Sequence, residues 1–128
     1  MVFLQIFITF VVIILLDLVY LLSTKDFFNN IVKEIQGSNI SINYLGVISC
    51  YIFIVLGLNL FIINENKSIL YAFLLGIMVY GVYDTTNYAI FDKWPETAVV
   101  MDVLWGGILF ALTTVIVNLI FNKKIYFK

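Results

Sequence analysis

Histidine and arginine are both absent from this chain of 128 residues, which holds one cysteine and one proline. Without histidine the commonest general base and the commonest zinc ligand are gone, and without arginine so is the bidentate fork for phosphate. A serine–histidine triad is excluded by composition, and a zinc site has little to build on. Cys50, being alone, can form no intrachain disulfide and no thiol metal centre; on an apolar run it reads as a small packing residue. All seven basic residues are lysines and the net charge is -1, so no basic patch exists to neutralise a nucleic-acid backbone, and no nucleic-acid partner is expected. No cofactor is expected either. Charge is scarce throughout: 12% of residues, where a soluble domain carries about a quarter.

What is present is hydrocarbon. Hydrophobic residues make up 63% of the chain and the mean hydropathy is +1.09, which makes lipid the solvent. A bilayer core of about 30 Å takes ~20 apolar residues as helix. Four runs qualify: Val2 to Leu22, Ile42 to Ile63, Ile69 to Phe91 and Ala98 to Phe121. The expected class is therefore all-α, a polytopic integral membrane protein with four transmembrane helices in a bundle and a single domain over residues 1–128. Between the first two runs, Phe27, Phe28, Ile31, Val32 and Ile35 recur at helical spacing among polar residues. They predict a short amphipathic helix lying on the membrane surface, ended by Gly37. Asn64–Ser68 and Asp92–Thr97 read as tight links, the second broken by Pro95. The first run lacks a basic start and a small-residue cleavage pattern and carries Asp17, so it reads as a retained helix and not a signal peptide. An even number of spans puts both termini on one side. Lys67, Lys123, Lys124 and Lys128 lie there against Lys25, Lys33 and Lys93 opposite, which favours cytoplasmic termini.

Asp17, Asp84 and Asp102 stand inside these runs with nothing basic beside them. A charged side chain at mid-membrane costs about 2.5–3.5 kcal/mol, so it persists with a partner or a task. The spans alternate in direction, and at 1.5 Å per residue each aspartate falls about 6–10 Å inside the same boundary, opposite the termini. Each has polar company on its own helix: Tyr20 three after Asp17; Tyr80, Asn87 and Tyr88 around Asp84, with Thr85 and Thr86 adjacent; Trp105 and Gly106 after Asp102. Asn43, Tyr44, Ser49, Cys50 and Tyr51 add donors from the second span, and Trp94 would cap the layer. The expected result is a polar pocket opening to one face. The candidate binding residues are Asp17, Asp84, Asp102, Asn87, Tyr20, Tyr80, Tyr83, Thr86, Trp94 and Trp105, with no metal assigned.

The plainer reading is that interfacial aromatics such as Trp94, Trp105, Tyr44, Tyr83 and Tyr88 form a belt, and that polar residues in spans hold helices together. Asn59 and Asn118 fit that role, and Gly46, Gly57, Gly76, Gly81, Gly106 and Gly107 would permit close helix contact. Yet three like-charged groups in one layer exceed what adhesion needs. Such carboxyls share protons and titrate as a coupled set. They suit proton relay, a hard-cation site or a small polar solute. The leading function is thus a small binding or transport module, with homo-oligomerisation to enclose a pathway. The alternatives are a lipid-modifying enzyme using one aspartate as acid and another as base, or a structural subunit of a membrane complex.

The run Tyr83-Asp84-Thr85-Thr86-Asn87-Tyr88-Ala89, followed by Trp94-Pro95, Asp102 and Trp105-Gly106, resembles the domain-of-unknown-function family 2177 of small predicted membrane proteins. Leu16-Asp17 and Phe27-Phe28 resemble its N-terminal features. Tyr20 stands where the family pattern would carry a tryptophan, exchanging an indole donor for a phenol. The resemblance implies a four-helix membrane fold with the aspartates as its signature, and carries no activity.

Overall fold

A computed structural model describes residues 2–128. It contains five α-helices: α1 (Val2–Ser23), α2 (Lys25–Gln36), α3 (Tyr44–Leu58), α4 (Ile69–Ile90) and α5 (Glu96–Ile120), with α3 running on into a π-helical turn at Asn59–Ile63. The helices long and apolar enough to cross a membrane are Val2–Ser23, Tyr44–Ile63, Ile69–Ile90 and Glu96–Ile120. These bounds lie within two residues of those read from hydropathy. Local chemistry fixes several ends. Asn43 accepts a hydrogen bond from the Gly46 N–H at 3.2 Å to open α3, Gly37 closes α2 at φ 78°, and α5 follows Pro95 directly.

Lipid inverts the usual logic of an amphipathic helix. The buried positions of α1 are Gln5, Thr9, Ile13 and Asp17, one every four residues, so the stripe that faces protein is mostly its polar one. Of its apolar residues Phe3, Phe7, Leu15 and Val19 face outward, while Phe10 and Leu16 are half-buried against the core. The packing order is α3–α1–α5–α4, with α4 and α5 in the most extensive contact and α3 and α4 not packed along their lengths. Ile13, Leu58, Leu109, Phe110 and Val117 form the fully enclosed centre.

Glycine brings α4 onto α5. A Cβ on Gly76 would fall 2.1 Å from the Gly106 carbonyl oxygen, and one on Gly106 would fall 2.4 Å from the Tyr80 ring. Gly107 likewise abuts Phe73. Gly46, Gly57 and Gly81, expected to serve the same end, have no close neighbour across a helix interface. The surface helix forms after α1 as expected, at Lys25–Gln36 and closed by Gly37. The apolar face of α2 packs on protein, with Ile31, Phe27, Phe28 and Ile35 against Trp94, Ala98 and Val99. It roofs the bundle at the end opposite the termini.

Candidate functional site

Beneath that roof the aspartates form a line across the helices. Asp17 on α1 is met from two other helices: Tyr51 on α3 donates its hydroxyl to Oδ2, and Trp105 on α5 donates its indole N–H to Oδ1 at 2.8 Å. Asp102 on α5 accepts the hydroxyl of Tyr20 on α1. The pairing is reciprocal. Each helix carries an aspartate followed three residues later by an aromatic donor, and because α1 and α5 run antiparallel, each donor reaches the other helix's carboxyl. The Tyr20 and Trp105 rings stack between the two bonds, centroids 4.7 Å apart and planes at 9°. Same-helix pairing of Asp17 with Tyr20 and of Asp102 with Trp105 is therefore not what forms. A donor three residues along its own helix is well placed to leave that helix and bridge to the next.

Asp84 differs from both. Tyr80 lies on Gly106, so one further turn along α4 and one turn back along α5, about 6 Å each, bring Asp84 level with Asp102. The Asp102 carboxyl and the Trp94 indole both lie beside the Asp84 carboxyl. The Asp84 side chain is 0% exposed, and neither of its oxygens has a partner in hydrogen-bond geometry, nor has Trp94 Nε1. Tyr20, Tyr51 and Trp105 spend their donors on Asp17 and Asp102, while the Trp94 indole N–H, beside Asp84, bonds nothing in good geometry.

The residues expected around Asp84 mostly look elsewhere. Tyr88 donates to Glu96 at 3.0 Å, Thr85 donates to the Gly81 carbonyl, and Thr86 is exposed. Tyr83 sets its ring edge-on to Trp94 at 6.3 Å, and Tyr80 packs edge-on against Phe110. From the second span only Tyr51 reaches an aspartate; Asn43 caps, Ser49 bonds the Leu45 carbonyl at 2.8 Å, and Tyr44 and Cys50 are exposed. Trp94, buried beside Phe28 and Phe91, closes the layer as its place in the link suggests. What results is enclosed: Asp17 and Asp84 are buried under α2 and Trp94, in place of a pocket open to one face. Among the described residues no three His, Cys, Asp or Glu side chains gather so as to hold a metal ion.

A second polar layer lies at the other end. Gln5 Nε2 donates to Asn59 Oδ1 and to Asn64 Oδ1, each at 2.8 Å, while Gln5 Oε1 accepts from Lys123 Nζ at 2.7 Å. Lys123 also reaches the Ile63 carbonyl at 3.3 Å. The π turn makes this possible. On an α-helix, residues five apart point about 140° from each other; the wider turn that closes Asn64 N–H onto the Asn59 carbonyl at 2.9 Å swings both amides toward Gln5. Asn59 does hold helices together as expected. Asn118 is buried with its Oδ1 unpartnered.

An all-helical chain with four membrane-spanning helices, its polar side chains turned inward and carboxyls enclosed near one end, is an integral multi-pass membrane protein. It belongs to the family described as Predicted membrane protein (DUF2177), whose profile matches residues 2–119 and so takes in all three aspartates. No curated protein and no solved structure matches the chain.

Proposed function

We propose that this protein is a small membrane binding or transport module whose acidic layer takes up a cation at the Asp84–Asp102 pair, a proton being the simplest occupant. The observation that carries the reading is Asp84, enclosed and without a donor. A carboxylate only accepts hydrogen bonds. Tyr20, Tyr51 and Trp105 are committed to Asp17 and Asp102, and the Trp94 indole N–H beside Asp84 is out of hydrogen-bond geometry, so a positive charge is the occupant that best satisfies Asp84. A proton between two neighbouring carboxyls does this with no further ligands, whereas Ca2+ asks for about 6–8 oxygens, more than these residues assemble. Asp17, bonded from α3 and α5, is the structural member, tying three helices together.

The test is infrared spectroscopy of the protein in lipid, following the carboxyl C=O band as pH is lowered and as Na+, K+ or Mg2+ is added. A band that responds to proton or cation and is missing from Asp84→Asn supports the reading. A spectrum indifferent to both, or identical in the variant, overturns it. An Asp84→Asn variant that keeps the band but loses turnover of a lipid would favour the enzyme instead.

A further inference from the structure

The two membrane edges of the bundle differ in charge. Beside the chain termini the side chains outside the spans include four lysines, Lys67, Lys123, Lys124 and Lys128, against one carboxylate, Glu65; at the opposite edge three lysines meet four carboxylates. Backbone turns gather the lysines. Asn66, at φ 50°, reverses the chain ahead of α4, and Asn122, at φ 52°, reverses it after α5. The tail then lies back across the start of α4: the Ile69 N–H donates to the Tyr126 carbonyl at 2.7 Å, and Ser68 beside that bond is buried. Lys67, Lys124 and Lys128 each stand two residues from a partner in that bond, so at most about 7 Å of chain separates each from it. All three are exposed, whereas Lys123 turns inward to Gln5. Between Lys124 and Lys128 the tail is apolar, with Ile125 half-buried and Tyr126 and Phe127 46% and 73% exposed.

We propose that the folded-back tail and the α3–α4 link form a docking surface for anionic phospholipid. Lys67, Lys124 and Lys128 meet headgroup phosphates there, while Tyr126 and Phe127 sit at the headgroup level as interfacial aromatics do. The sign of the partner follows from three exposed ammonium groups around one pinned bond, with Glu65 the one opposing side chain at that edge. Its kind follows from position and from the aromatics. A soluble anion would leave Phe127 in water, whereas a lipid offers phosphate to the lysines and hydrocarbon to the ring. The opposite edge, with its charges balanced, has no such preference. This surface lies at the other end of the bundle from Asp84 and is independent of the cation-binding reading.

Native mass spectrometry of the full-length protein, released from micelles holding equal amounts of phosphatidylglycerol and phosphatidylcholine, counts the lipids it retains. The expected result is a preference for phosphatidylglycerol of about fivefold or more, the factor that even one lysine contributes at an anionic surface. Lys67→Gln, Lys124→Gln and Lys128→Gln together abolish the preference, and the same three positions changed to Arg keep it, which separates charge from any part these side chains play in the fold. Lys25→Gln, Lys33→Gln and Lys93→Gln together, at the opposite edge, leave it intact. No preference in the parent protein, a preference that survives the first triple variant, or equal loss in both glutamine triples overturns the proposal. So does displacement of the lipid by inorganic phosphate beyond that caused by chloride at the same ionic strength, which would make the surface a site for the free ion.

Discussion

At the end of the bundle that carries the chain termini, Gln5, Asn59, Asn64 and Lys123 bond one another, while at the opposite end Asp17, Asp84 and Asp102 share three donors of which Asp84 receives none. The difference is chemical before it is geometric. An amide both donates and accepts, so a few of them can close a network without help. Carboxylates only accept, and each must import a donor. The amide end therefore serves as a clasp between α1, the π turn and the tail, while at the acidic end the Asp84 carboxyl and the neighbouring Trp94 indole N–H stand unbonded. An unsatisfied carboxyl inside a membrane is the ground on which the cation-binding reading is proposed.

The variant expected to act most strongly separates the two ends by moving helices. Gly76→Ala sets a methyl group against the Gly106 carbonyl, and α4 must retreat from α5, taking Asp84 away from Asp102. Overpacking of this severity costs about 3 kcal/mol, visible as a lowered thermal midpoint in detergent together with altered Trp94 fluorescence. The Gln5–Asn59 contact, built on α1 and the π turn, should persist. A Gly76→Ala protein as stable as the parent would show that α4 and α5 do not meet there.

Gln5→Leu strikes the other end. It leaves Asn59 and Asn64 without their shared donor and Lys123 without its amide acceptor. Leaving buried polar groups unmade costs about 2 kcal/mol in total at this partly wet end. The carboxyl infrared response should be untouched. If it disappears as well, the two ends are coupled through α1 and the contrast drawn between them fails.

The spans were plain in the sequence because hydropathy averages over about twenty residues, and no tertiary contact can overrule a run such as Val2 to Leu22 in water. The level of the aspartates was legible for a similar reason, since it needs only alternating direction and the rise per residue. Their partners were not. Spacing of three within one helix could not reveal that Tyr20 serves Asp102 and Trp105 serves Asp17, because that depends on which helix lies alongside. The amide end was hidden further. Asn59 and Asn64 fall on different faces of a regular α-helix, and only the π turn aligns them; Gln5 is a single amide in an apolar run, and Lys123 counted only toward orientation. The glycines show the same limit: Gly76 and Gly106 meet a neighbour and Gly57 does not, though all sit in similar apolar runs.

The smallest expected effect discriminates most finely, because it differs in sign within the acidic layer itself. Asp17→Asn keeps the Trp105 bond but turns an amide N–H2 toward the Tyr51 hydroxyl and gives up two charge-assisted bonds for neutral ones. That should destabilise by about 1 kcal/mol. Asp84→Asn gives up no hydrogen bond, since Asp84 makes none in good geometry, and removes an ionisable group from hydrocarbon. It should leave the stability unchanged or raise it by up to about 1 kcal/mol, with the thermal midpoint following, as happens when a residue held for function at a cost to stability is replaced. Paired melts of the two variants in the same detergent decide the matter. If both lose stability alike, Asp84 is a structural tie of the same kind as Asp17, and the missing donor is no vacancy for a cation. Opposite signs would separate the aspartate that fastens the helices from the one that waits for a ligand.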